Sequence, residues 1–154
     1  MDGPSQCHAL AARARYGALA TIARESGHPF ATLVALAFDA RRRPLLCLSE
    51  LAEHTKNLLS CPNASILVTE AAEGTDPLAS GRMTLVGRSA RVGLEEADAA
   101  RDTFLAVHAE AAAYSRFKDF AMWRFEVQEV RWVGGFGRME WVATGAYTGE
   151  SSSS

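Results

Sequence analysis

Apolar and polar positions change period several times along the chain, and each change marks a predicted element. Residues 17–23 (GALATIA) and 30–38 (FATLVALAF) are apolar runs rich in small and branched side chains. The turn chemistry of 25–29 (ESGHP) separates them, so they predict a β-hairpin. The second run is apolar at both parities, which predicts a central strand covered on both faces. A turn at 39–44 (DARRRP) leads to a third strand over 45–49 and completes a three-strand meander. From 50 to 60 the period becomes helical, with Leu51, Thr55, Leu58 and Leu59 close to one face. Pro62 and Asn63 end that helix before a strand over 64–70.

The second half repeats this alternation of strand and turn around one long helix. After a polar loop over 71–81 (AAEGTDPLASG), residues 82–92 (RMTLVGRSARV) form a long strand in which Gly87 marks a bulge or a close backbone approach. Residues 94–112 form the best helical pattern: Ala97, Ala100, Phe104, Val107 and Ala111 recur at spacings of three and four. Glu95, Glu96 and Asp98 complement its dipole. A short helix or turn follows at 114–120. In the strand over 121–133, Trp123, Phe125 and Val127 share one parity and Val130 and Trp132 the other, a phase slip that predicts a bulge near Gln128 and Glu129. Gly134, Gly135 and Gly137 interrupt the pattern before a last strand over 139–143.

At the ends, 1–6 reads as a loose lead with Ser5 as N-cap of a helix over 7–15, and 144–154 as a disordered tail. The expected fold is mainly β: a six- to seven-stranded antiparallel split or closed β-barrel with short flanking helices, in one domain over 1–143. A doubly wound parallel sheet needs a regular strand and helix alternation that the chain lacks.

Composition narrows the function classes. With 154 residues, 48% of them hydrophobic and 22% charged, the chain is an ordinary globular domain. Sixteen basic and 18 acidic residues are spread evenly, which gives no footprint for nucleic acid or an anionic membrane. Cys7, Cys47 and Cys61 are odd in number and form no C-x-x-C pair, so the expectation is a reducing compartment, with neither a disulfide framework nor a structural zinc. No apolar run is long enough for a membrane span and the first residues lack a signal peptide's positive charge. The expected location is the cytoplasm.

Candidate chemistry concentrates in 48–68. His54, Thr55, Lys56 and Asn57 set hydrogen-bond donors and a positive charge side by side next to a strand end, which suits a phosphate group; the same pattern also fits a solvated surface helix. Lys56 and Lys118 are the only lysines. The four histidines, His8, His28, His54 and His108, fall in four elements without metal-ligand spacing. His108 is expected to be packed and hydrogen-bonded, and His28 solvated. Ser49, His54 and Asp119 lack the G-x-S-x-G elbow of a hydrolase. GGFGRME at 134–140 has Glu140 where a dinucleotide fingerprint needs glycine, so it reads as a barrel-corner turn or as open backbone against a planar ligand. Trp123, Trp132 and Trp141 suit a core, a subunit interface or the border of an aromatic ring, and Cys47 has no base beside it.

Six motifs in order carry a family resemblance: PF-x-T (29–32), S-x-LA-x-HT-x-N (49–57), P-x-x-S (62–65), R-x-TL-x-G (82–87), Y-x-x-F-x-DF (114–120) and GGFG (134–137). Together they resemble the FMN-binding split-barrel superfamily, in the pyridoxamine 5'-phosphate oxidase-like branch related to haem-utilisation proteins of the HugZ type. The resemblance implies a homodimer with FMN at the subunit interface and an oxidoreductase acting on a small substrate. It implies cofactor-binding roles for Thr32, Ser49, His54, Thr55, Lys56, Asn57 and Arg82. His54 stands where many members carry a phosphate-binding lysine. Haem, or a non-catalytic cofactor-binding module, is the alternative. The C-terminal arginine and proline signature of true pyridoxamine phosphate oxidases is not recognisable in 142–154. Nor does any histidine follow His108, where haem-degrading relatives are expected to carry an iron ligand. No catalytic residue is assigned.

Overall fold

Strand alternation sorts side chains into a barrel interior and an outer layer. In a computed structural model, which describes residues 1–70 and 73–150, β1 (Tyr16–Ile22) buries Gly17, Leu19 and Thr21, and β6 (Arg82–Arg91) buries Met83, Leu85, Gly87 and Ser89. The other strands are β2 (Pro29–Ala35), β3 (Ala37–Phe38), β4 (Pro44–Ser49), β5 (Asn63–Thr69), β7 (Phe120–Val133) and β8 (Met139–Val142). Around them lie α1 (Gly3–Arg13), α2 (Glu53–Ser60), α3 (Leu94–Val107), a 3-10 turn over Ala109–Ala113, and α4 (Thr144–Thr148). Neighbouring strands run in the order β2-β1-β5-β6-β7-β4-β3, with β8 also on β7, and every pairing is antiparallel.

β2 and β3 stand at opposite ends of that order yet are separated by Leu36 alone, so the sheet curls until one chain segment closes it. The result is the expected split barrel, with β2 and β3 as two halves of one bent strand. Leu36 is fully buried at the seam. Its N–H donates to Arg15 O at 2.9 Å, and its carbonyl accepts from His108 Nε2 at 2.9 Å. The packed, hydrogen-bonded His108 expected from the sequence is therefore a seam clasp. Inside the barrel, Leu19, Ile66, Leu85, Phe125 and Trp132 form the main core, and a smaller one joins Leu45, Phe104 and Met122 beneath α3.

The predicted bulge is present. Val86 pairs with Glu129 and Gly87 with Val127, leaving Gln128 as the extra residue of β7. Gly87 is also a close approach, since a Cβ there would lie 1.9 Å from Glu126 O.

Five expectations need correction. The run at 30–38 is not a central strand covered on both faces: β2 is a sheet end paired with β1, and Leu33 is 77% exposed. Nor does 45–49 continue a simple meander, because β4 pairs mainly with β7 and meets only the two residues of β3. The first helix begins at Gly3, capped by the Asp2 carboxylate accepting from Ser5 N at 2.9 Å, so Ser5 donates where a cap would accept. The helix over 94–112 breaks at His108, whose backbone leaves the helical region where its ring bonds the seam. Residues 144–148, expected as disordered tail, form α4, whose Tyr147 is fully buried and donates from its hydroxyl to Arg42 O at 2.7 Å. The remainder of the expected tail, 151–154, and residues 71–72 of the polar loop lie outside the described residues.

Candidate functional site

β2, the end of β4 and the start of α2 converge on a groove of 360 Å3. Leu33, Val34, Leu48, Phe104 and Phe120 make its walls largely apolar. Tyr114, also on the wall, packs against Phe120 with ring centroids 4.9 Å apart. The polar end belongs to Ser49 and His54. A helix starts here because the turn after Ser49 is pinned: Ser49 Oγ accepts from Leu51 N at 3.1 Å and donates to Asp119 Oδ2 at 2.9 Å, while Glu50 N donates to Asp119 O at 2.7 Å. α2 therefore begins at Glu53, three residues later than its helical spacing suggests.

His54 is half-buried, and its Nδ1 lies 3.2 Å from Thr32 Oγ1. Burial disfavours the imidazolium and lowers the pKa of His54 below its usual 6.5, so the ring is neutral at pH 7. Ser49, His54 and Asp119 do not form a triad, since the serine contacts the aspartate directly and the histidine turns to Thr32. Burial raises the pKa of the Cys47 thiol on the groove wall, in keeping with an inert cysteine.

The structure divides the residues named from the resemblance. Ser49 and His54 line the groove, and Thr32 reaches it through its contact with His54. Thr55 and Asn57 point into the core, at 1% and 0% exposure, and Asn57 is spent on Thr21 Oγ1 at 3.1 Å and on Arg24 N at 3.1 Å. Lys56 is half-buried between them. Arg82 stands apart: it pairs with Thr69, whereas α2 enters β5 at Asn63 opposite Arg88, about 20 Å away at some 3.4 Å per strand residue. Its guanidinium donates to Leu78 O at 3.1 Å. Leu33 and Phe104 of the walls were not singled out as site residues by sequence reasoning, although Tyr114, Asp119 and Phe120 lie in one of the six motifs.

Elsewhere, Trp123 and Trp132 are core residues, whereas Trp141 is 62% exposed with the Arg131 guanidinium 5.1 Å above its ring. GGFG forms the loop between β7 and β8, where Gly135 and Gly137 have positive φ. Among the described residues, no cluster of His, Cys, Asp or Glu could hold a metal ion, and no helix is long and apolar enough to cross a membrane.

The model of a family described as CREG, β-barrel, matches residues 1–149. The chain belongs to this family. A chloroplastic haem oxygenase of Arabidopsis thaliana, HOZ, is 37% identical over 120 residues, covering 77% of this chain and 36% of the plant protein. A haem-binding protein from Mycobacterium smegmatis superposes with a TM-score of 0.90 at 38% identity, over 97% of this chain and 61% of that one. A Clostridium acetobutylicum protein of the pyridoxinephosphate oxidase family shares the fold, with a TM-score of 0.68 at 11% identity over 92% of this chain and 96% of its own. The CREG-like barrel thus falls in the split-barrel superfamily and the haem-related branch expected from the six motifs. The chain spans about a third of the plant relative's length and under two thirds of the mycobacterial chain's.

Proposed function

We propose that this chain binds haem, as a homodimer, in the groove between β2, β4 and α2. The observation that carries the proposal is His54, a neutral imidazole at the polar end of an otherwise apolar groove. Haem iron is held by neutral imidazole nitrogens, and a hydrogen bond at the other ring nitrogen fixes which one is offered. In the tautomer whose Nδ1–H donates to Thr32 Oγ1, 3.2 Å away, His54 would present the Nε2 lone pair. Leu33, Leu48 and Phe120 would supply apolar walls for the macrocycle, and the exposed Leu33 and Leu51 suit closure by a second copy of the chain. Bound haem would supply iron redox chemistry. The chain's own residues would bind it, orient it through Thr32 and His54, and hold the Asp119 carboxylate at the rim through Ser49. The haem-named relatives at 37% and 38% identity support haem ahead of FMN, and the three free cysteines favour a reducing compartment such as the cytoplasm.

FMN in the same groove is the second reading, favoured by Lys56 beside His54 and by the Thr32 hydroxyl. It would make the chain an oxidoreductase acting on a small substrate. Two of the four donors it would use on α2, Thr55 and Asn57, are turned into the core, and Arg82 would have to come from the partner copy. Titrating the purified protein with haemin and, separately, with FMN tests the choice. We expect saturable uptake of one haem per chain with an intense Soret band, and FMN binding at least about tenfold weaker, a gap of about 1.4 kcal/mol. The reverse order would assign the groove to FMN. Uptake of neither would overturn both and leave a non-catalytic module.

A further inference from the structure

A second concavity, larger than the groove, encloses 580 Å3 between the end of α1, the β3–β4 turn and the last turn of α3, and it shares no lining residue with the groove. Its floor is made of small apolar side chains such as Ala11, Ala37 and Ala106. Its walls carry Arg13, Arg15, Arg42 and His8 against a single carboxylate, Asp39. That carboxylate is already engaged, with the Arg43 guanidinium at 2.8 Å, Arg124 at 3.4 Å and the backbone N–H groups of Arg41 and Arg43 at 2.9 Å. Arg13 is paired with Glu70. The other three donors are each anchored by a backbone carbonyl: Arg15 to Val107 O at 2.6 Å, Arg42 to Tyr147 O at 3.2 Å, and His8 Nε2 to Ala146 O at 2.9 Å.

A guanidinium carries five N–H donors, so both arginines keep a fork after their single anchor. Arg42 is fixed at both ends. Its backbone is left-handed, with φ 59°, and its carbonyl accepts from the buried Tyr147 hydroxyl. Arms oriented before a ligand arrives lose little side-chain entropy on binding. We infer that this cleft binds a small, multiply charged organic anion with a short apolar body, held by Arg15 and Arg42 with His8. Guanidinium forks match dicarboxylates and phosphate esters alike, and the alanine floor leaves room for the body.

Two-dimensional amide NMR of the full chain, titrated with succinate and with inorganic phosphate at constant ionic strength, tests the inference against a chloride control. We expect saturable shifts confined to residues 8, 11–15, 37–42 and 106–107 for at least one of the two anions, with the groove residues unmoved. Saturation by succinate alone would select a dicarboxylate, and by phosphate alone a phosphate ester. Arg15→Gln should weaken that binding at least about tenfold, while Arg116→Gln, on an exposed turn, should leave it unchanged. No saturable shift with either anion in the wild-type protein would overturn the inference, whether or not Arg15→Gln folds. So would shifts that survive Arg15→Gln, and the arginines would then serve only as caps on the last carbonyls of α3 and α4.

Discussion

His54 and Gly87 show how much a single position decides in this molecule. His54 is held neutral by burial, so its folded pKa lies below the 6.5 that the unfolded chain has. As pH falls below about 6.5, the unfolded state takes up a proton that the folded state refuses, and stability declines until the pH passes the lowered folded pKa. The melting temperature of the wild-type protein should therefore fall more between pH 7.5 and pH 5.5 than that of His54→Gln; equal falls in the two proteins would remove the buried, neutral histidine. Gly87 lies against the backbone of Glu126, with no space for a Cβ. Gly87→Ala should cost about 1–3 kcal/mol, seen as a lower denaturation midpoint at unchanged slope. The bulge it faces was legible in the sequence because a phase slip is local: Val127 and Val130 fall on opposite parities whatever packs around them. The side chains of α2 were harder to read. Helical spacing grouped Thr55 with the leucines, but nothing local shows that Asn57 reaches Thr21, 36 residues away in the chain.

At the scale of elements, β2 and α4 depart most from the sequence pattern, in opposite directions. The apolar run of β2 reads as buried because alternation reports hydrophobicity and not what covers it; here one face is left open, with Leu33 outward. α4 reads as tail because its signal is one tyrosine, and that tyrosine's partner, Arg42, lies 105 residues earlier. The helix closes the main core, where Tyr147 joins Leu10 and Val142. Tyr147→Ala should therefore destabilise the protein by about 3–5 kcal/mol, the range for a buried aromatic truncated to alanine, and Tyr147→Phe by about 1 kcal/mol for the lost hydrogen bond. Chemical denaturation measures both. A loss below about 1 kcal/mol for the alanine variant would mean that α4 contributes little to the fold.

For the molecule as a whole, the split barrel makes a seam at Leu36 and leaves an apolar strand and a groove side by side on one surface. The motif order made this architecture legible, whereas the grouping of the named residues was legible only in part: Thr32, Ser49 and His54 lie close together, while Arg82 stands toward the other end of β6 from α2. If a second copy covers β2, Leu33→Arg should convert a particle of twice 16.6 kDa into a single chain by light scattering and weaken haem uptake together with it. A dimer untouched by that change would place the interface elsewhere. The most direct test of the central claim is the visible and electron paramagnetic resonance spectrum of the haemin-loaded protein beside its His54→Gln variant. The wild type should show a nitrogen-ligated iron, and the variant should lose that signature and bind haem at least about tenfold more weakly. Identical spectra and affinities would contradict the claim.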